Sequence, residues 1–278
     1  MNLLILFLID QLPCSHVIKQ FYKQCRLHMV NKHPRDDYIT FYEEGHKYDL
    51  IHPDTHQLIN PISVTTLIHK YSTEFNADLI IYRMMKSKNW PSSKYFGLTK
   101  EEIKKSWDDN RDEAANLGTM MHADIERYLD GLPPLNDKTT EFQFFKSFWQ
   151  DFTEKYAKFR VFRVEALVYD EHFRNGQGIC GSIDCLLKND KDQYIILDWK
   201  RSKEIKMKGG KMKPPFDDMA DVNFSHYTLQ LNIYRHILMT KYGYNVIFLM
   251  LVILHPNQES YQCLPVPRIN LSELWSQL

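Results

Sequence analysis

The sequence predicts an α/β chain whose mixed central sheet is flanked by helices, preceded by a mainly helical N-terminal elaboration. Three observations carry this reading. Apolar residues recur at helical spacing before residue 159, the pattern switches to three short strand-like runs between 161 and 200, and a helix-like stretch then leads into the strongly apolar run Val246–His255. Helices followed by β-β-β-α-β are best buried by covering a sheet on its faces.

At 278 residues the chain is long enough for one large domain, or a compact core with an elaboration. We divide it into a region 1–135 and a core 136–278. Ordinary apolar content and low glycine and proline exclude a collagenous or disordered chain. The 35 basic and 35 acidic residues cancel, which excludes coating nucleic acid by bulk charge but leaves a local basic patch open. Cys14, Cys25, Cys180, Cys185 and Cys263 form no C-x-x-C pair. Such scatter fits a reducing intracellular compartment and gives no ligand set for a zinc ribbon or iron–sulfur cluster.

Leu3–Ile9 is apolar but short, broken by Asp10 and without a basic residue before it. It reads as a buried first helix or strand, and no membrane span is expected. Tyr38–Glu43 and His46–Ile51 alternate around Gly45 as two strands. Ser63 caps a short helix to about Tyr71, and Ala77–Ser87 is another. Thr99 and Glu102 form a capping box for a helix that continues to Leu129, bent or broken near Gly118. Glu141–Phe159 carries Phe144, Phe145, Phe148, Trp149 and Phe152 at helical spacing, a core stripe. Val161–Tyr169, Cys180–Leu187 and Tyr194–Lys200 follow as an antiparallel meander. After a lysine- and glycine-rich loop, Asp221–Tyr242 is an amphipathic helix. Val246–His255 is a strand, and Tyr261–Val266 is an edge strand suited to its prolines.

Chemistry concentrates where strands and helices place polar groups on shared faces. Asp198 and Lys200 point the same way, with Leu197 and Trp199 on the other face. Asp184 faces opposite to Ile183 and Cys185. If adjacent strands bring Asp184 beside Asp198, two carboxylates converge next to an ammonium, a set that suits a hard divalent cation. Glu165 adds an acid on the preceding strand. His122 and Glu126 share a helix face, and Gln230 and Tyr234 do the same further on. Taken singly, each has a bland alternative: a surface salt-bridge ladder, a solvated glutamate, a structural histidine, an ordinary amphipathic helix.

The order of these elements, Gly-x-x-x-His, Glu, Gly-x-x-Asp, Asp-x-Lys and Gln-x-x-x-Tyr over residues 115–255, resembles the PD-(D/E)XK nuclease superfamily. More narrowly it is similar to the RecB-type exonuclease branch, which includes the mitochondrial genome maintenance exonuclease and related viral nucleases. The resemblance implies that His122, Asp184, Asp198 and the carbonyl of Trp199 hold a metal, with Glu165 supporting it or holding a second. It makes Lys200 catalytic and gives Gln230 and Tyr234 the task of holding the site and the DNA backbone. Gly-Ser-Ile-Asp stands where the superfamily name expects Pro-Asp, and the cysteines of an iron–sulfur staple are absent.

The implied activity is metal-dependent hydrolysis of DNA, with Mg²⁺ or Mn²⁺, acting on single strands or ends in replication, repair or recombination. A helicase or replication partner is a further expectation. Arg201, Lys203, Lys206, Lys208, Lys211 and Lys213 form a basic loop around Gly209 and Gly210, expected to be mobile and to contact phosphates. The region Trp90–Trp107 and the first helices are expected to form an arch or clamp, with aromatics for stacking on unpaired bases. Two rivals stand beside this reading. One is an RNA endonuclease of the cap-snatching type, which also places a histidine before its acids. The other is a non-catalytic nucleic-acid-binding module of the same fold.

Overall fold

The computed structural model describes residues 26–276, so the apolar run at Leu3–Ile9 lies outside the described residues. After a short helix α1 (Arg26–Val30), β1 (Ile39–Tyr42), β2 (Lys47–Ile51) and β3 (Leu58–Ile59) form a small antiparallel sheet. The hairpin of β1 and β2 follows the alternation in the sequence, with Ile39 opposite Leu50. Gly45 turns it at φ 76°, a left-handed conformation that glycine adopts without cost.

Next come β4 (Ile62–Ser63), α2 (Val64–Lys70) and α3 (Ala77–Met85), then the long α4 (Lys100–Leu129) and α5 (Thr140–Lys155). Thr99 and Glu102 cap α4 reciprocally, as their spacing predicts. The break expected near Gly118 does not occur: α4 runs for 30 residues without interruption. A lone glycine costs a helix about 1 kcal/mol, too little to break intact turns on both sides.

The core sheet holds six strands: β4, β5 (Arg160–Asp170), β6 (Ile179–Lys188), β7 (Gln193–Lys200), β8 (Asn245–Ile253) and β9 (Gln262–Pro265). β5, β6 and β7 are the expected antiparallel meander. β7 pairs in parallel with β8 through the crossover helix α6 (Asn223–Lys241), and β9 closes the far edge. β4 pairs in parallel with the first residues of β6, Ile62 opposite Ile179, on the stretch of edge that β7 does not reach. The sheet is therefore mixed and flanked by helices.

Two apolar layers sandwich it. On one face the α5 stripe, Phe142, Phe145, Phe148 and Phe152, packs on Leu197, Trp199 and Val252. On the other, Leu229, Ile233 and Ile237 of α6 meet Ala166, Ile196 and Leu251. α6 is not a simple amphipathic helix, because residues 228–234 are all buried. The C-terminal segment covers its outer side, where Val266, Leu271 and Leu274 of the tail and the short α7 (Ser272–Ser276) join the same cluster. Asn232, buried within α6, donates to the Pro267 carbonyl at 2.9 Å and accepts from Ile269 N at 3.1 Å.

Candidate metal centre

The sheet opens at one point, and the polar groups gather there. β5 and β6 pair regularly through Val164 opposite Cys185 and again through Ala166 opposite Ile183, but Glu165 and Asp184 leave the ladder between them. Glu165 has φ 44°, a left-handed conformation rare for a side chain with a Cβ. Its effect is visible in the packing. Val164 and Cys185 belong to the α5 layer, whereas Ala166 and Ile183 belong to the α6 layer. The expectation that Ile183 and Cys185 share a face is corrected accordingly, since strict alternation fails where the pleat inverts.

β7 diverges from β6 at the same level. The last paired residues are Cys185 and Leu197; beyond them the Trp199 amide donates to Asp184 Oδ2 at 2.7 Å. A carboxylate thus replaces a strand neighbour, and the opening between β6 and β7 becomes a polar cleft. From α4, His122 reaches into it. Its Nε2 donates to the Trp199 carbonyl at 3.0 Å, while Nδ1 lies 3.6 Å from Asp184 and 3.8 Å from Glu165. Ligand atoms of His122, Glu165 and Asp184 all fall within 4.8 Å of one another, so these three groups could hold a metal ion.

The electrostatics suit a cation. Burial pushes Asp184 up to about 7, helped by the charges of Asp198 and Glu165 and opposed by His122. Burial would lower His122, yet the carboxylates of Asp184 and Glu165 hold it up at about 9. A protonated imidazole therefore stands where acids crowd. A divalent cation meets that excess of negative charge more fully than one proton, and imidazole with two carboxylates is a competent donor set.

Asp198 and Lys200 share a face of β7, as the alternation predicts. Asp198 lies outside the cluster of three and binds Lys200 Nζ at 2.7 Å. Lys200 also lies over the ring of Tyr227, 4.9 Å from its centroid. Its pKa is raised: burial opposes this, but Asp198 and Asp184 outweigh it. The Trp199 carbonyl, a metal ligand by resemblance, receives His122 instead. Glu126 shares a helix face with His122, but the imidazole is held by Trp199 on one nitrogen, with Asp184 and Glu165 near the other. Glu126 is itself pushed up to about 8 by burial and by Glu165.

Gln230 donates to the Tyr234 hydroxyl at 3.4 Å, and both are buried. Tyr234 packs under the cleft and offers a strand no surface, so the structure gives it a supporting position rather than a backbone contact. In the basic loop Lys203, Lys206, Lys208, Lys211 and Lys213 are exposed. Arg201 is not displayed with them: its Nε donates to Glu141 of α5 at 2.7 Å. Nor is the loop free around its glycines. Asp221 N donates to the Gly210 carbonyl, Met212 and Phe216 are buried, and a Cβ on Gly209 would meet Val222 at 2.5 Å. Gly209 serves close packing.

Sequence reasoning missed Ser182, which donates to Glu165 Oε2 at 2.7 Å. Its signal was its place between Gly181 and Asp184 on the site strand. It also missed Tyr227 and Glu141, because their roles depend on contacts distant in sequence. A second acidic group, Asp170, Glu171 and His172, has comparable spacing. Its charge is already met by Lys241 and Trp275 on Asp170 and by Arg35 on Glu171.

No family model and no curated protein matches the chain. Among solved structures it is similar to the protein SSO0001, with TM-score 0.32 and 14% identity over 77% of this chain and 71% of that one. It is also similar to a candidate exonuclease from Eubacterium rectale, with TM-score 0.29 and 12% identity over 73% of this chain and 64% of that one. Both likenesses are distant. No helix among the described residues is long and apolar enough to cross a membrane.

Proposed function

We propose that the chain is a metal-dependent nuclease that hydrolyses DNA phosphodiester bonds, acting as an exonuclease on single strands or free ends in replication, repair or recombination. The observation that carries this is the convergence of His122, Glu165 and Asp184 beside the Asp198–Lys200 pair, at the one place where β6 and β7 separate. His122, Glu165 and Asp184 would hold Mg²⁺ or Mn²⁺, and the imidazole favours Mn²⁺. Such an ion supplies Lewis acidity toward a phosphoryl oxygen and lowers the pKa of water.

The chain's own groups have separable tasks. Asp184 fixes the end of β7 through the Trp199 amide, and Trp199 in turn fixes the His122 ring. Ser182 aims Glu165. Lys200, with its pKa raised, stays an ammonium at neutral pH. It is therefore a fixed positive charge for a phosphate and its transition state, not a general base. The exposed lysines after Lys200 provide sequence-independent attraction for the strand.

The test is cleavage of end-labelled single-stranded, blunt duplex and circular DNA, and of matched RNA, with Mn²⁺, Mg²⁺ or EDTA, for wild type and Lys200→Ala. Metal-dependent loss of linear DNA, with circles spared and the variant inactive, is the expected result. Cut circles would make it an endonuclease, and preferential RNA loss would move the reading to RNA. If no substrate is cleaved, the nuclease reading fails and a binding module takes its place.

A further inference from the structure

Residues 75–107, which comprise α3, the turns after it and the start of α4, combine exposed basic side chains with exposed aromatic rings. From Leu79 to Lys100 the chain carries Arg83, Lys86, Lys88, Lys94 and Lys100 and no acidic residue, within a protein whose charges balance. Lys100 approaches Asp78 at 3.6 Å. The other four are exposed and have no ion-pair partner among the described residues.

Aromatic rings stand among these cations. Phe75 is 71% exposed, Phe96 57% and Tyr82 55%. Large rings left in water at this density mark a surface that something covers. Phe75 and Phe96 are also braced, and Lys86 Nζ lies over the Tyr82 ring, 5.9 Å from its centroid. Phe75 packs on Trp107 at 5.8 Å, Trp107 Nε1 donates to the Tyr95 hydroxyl at 2.9 Å, and Phe96 lies against Trp90 at 5.9 Å. Ile81 of α3 and Ile103 of α4 are fully buried, and Lys104 Nζ of α4 donates to Asp78 of α3 at 2.8 Å. Rings held in place lose little freedom when something stacks on them.

We infer that this arm is a docking platform for single-stranded nucleic acid, with Tyr82 and Phe96 stacking on bases while Arg83, Lys86, Lys88 and Lys94 meet phosphates. The inference rests on the nuclease reading and specifies how its substrate is held. Unpaired cations beside exposed rings match a polyanion whose flat faces are free. Duplex bases are already stacked, so only an unpaired strand uses both features.

The arm also predicts a length. α4 begins at Lys100 and carries His122 on its far half, 22 residues on, a span of about 33 Å or roughly ten nucleotides at stacked spacing. Strands shorter than this reach the metal centre without touching the arm; longer ones engage both.

The experiment compares wild type, Tyr82→Ala/Phe96→Ala and Lys86→Ala/Lys94→Ala. Anisotropy in EDTA is measured with labelled 6-mer and 20-mer single strands and a 20-base-pair duplex, and cleavage of both single strands in Mn²⁺. All replaced side chains are exposed, and circular dichroism confirms that the variants fold. Wild type should bind the 20-mer far more tightly than the 6-mer. The ring variant should lose about tenfold or more on the 20-mer, the scale of one or two lost stacking contacts, with 6-mer cleavage and duplex binding unchanged. The charge variant should weaken the 20-mer and flatten its salt dependence. Equal 20-mer binding by wild type and ring variant, or an equal loss on duplex, would overturn the arm and leave the patch to a protein partner. Failure of the nuclease reading looks different: wild type then cleaves neither strand, whatever it binds.

Discussion

The ring of Tyr234 occupies the space in which any side chain at residue 181 would have to grow. A Cβ on Gly181 would stand 2.6 Å from the Tyr234 hydroxyl oxygen, 2.7 Å from Cε1 and 3.0 Å from Cζ. The first residue of Gly-x-x-Asp and the last of Gln-x-x-x-Tyr are thus one packing contact, and it sets how closely α6 approaches β6 beneath the metal centre.

Gly181→Ala should therefore destabilise the protein by about 1–3 kcal/mol, the usual cost of overpacking a buried site. Tyr234→Phe in the same background removes the hydroxyl contact but leaves the ring carbons in place, so rescue should be partial. Urea midpoints of the two single variants and the double variant check this. A silent Gly181→Ala would show that α6 has room to move.

The pair formed by Glu141 and Arg201 is the second such joint. It lies between the start of α5 and the residue after Lys200, and the two side chains are only 12% and 11% exposed. Removing one partner strands the other charge in a poorly solvated site. Glu141→Gln and Arg201→Met should each cost about 1.5–3 kcal/mol, with the double variant well short of the sum. A double-mutant cycle by thermal unfolding gives the coupling. Strict additivity would mean that the pair is solvent-screened.

How much of this was legible follows from which contacts are local. The β1–β2 hairpin, the β5–β7 meander and the α5 stripe each announce themselves by their own periodicity. Asp198 and Lys200 share a face by simple alternation. β4 did not show, because two residues carry no period and its pairing partner lies over a hundred residues away. The inversion at Glu165 did not show either, since nothing in Val-Glu-Ala marks a left-handed residue. Gly118 and Gly209 misled in opposite ways. The first sits in a helix long enough to absorb it, and the second is fixed by Val222 where a hinge was expected. Site residues could be assembled only as a list; the sheet opening that joins His122, Glu165 and Asp184 is a tertiary fact.

Ser182 supplies a prediction about metal affinity. Its hydroxyl holds Glu165 by a single hydrogen bond at 2.7 Å, from the strand that also carries Asp184. Groups that orient a ligand typically matter about 10–100-fold for metal affinity. Ser182→Ala should weaken Mn²⁺ binding by that order, measured by calorimetry or by the free-ion electron paramagnetic resonance signal, with little change in melting temperature without metal. Unchanged affinity would take Glu165 out of the ligand set.

Asp170 provides the pH dependence. Burial would raise its pKa, but Lys241 Nζ at 2.9 Å, Trp275 Nε1 at 3.0 Å and the His172 amide at 2.9 Å hold it below the ordinary value. A carboxylate depressed in the folded state binds its proton more readily when unfolded. Its stabilisation is therefore complete above the unfolded value of about 3.9 and is lost as pH falls through the folded one. Asp170→Asn keeps the shape but gives up the charge that faces Lys241. The stability difference between wild type and variant should stay level from pH 7 to pH 5 and shrink below about pH 4. Because Trp275 belongs to the C-terminal α7, its fluorescence follows the same titration from inside the contact. A stability gap that persists undiminished at pH 3 would mean that shape and the Trp275 hydrogen bond, rather than the Asp170 charge, hold α7 against the sheet.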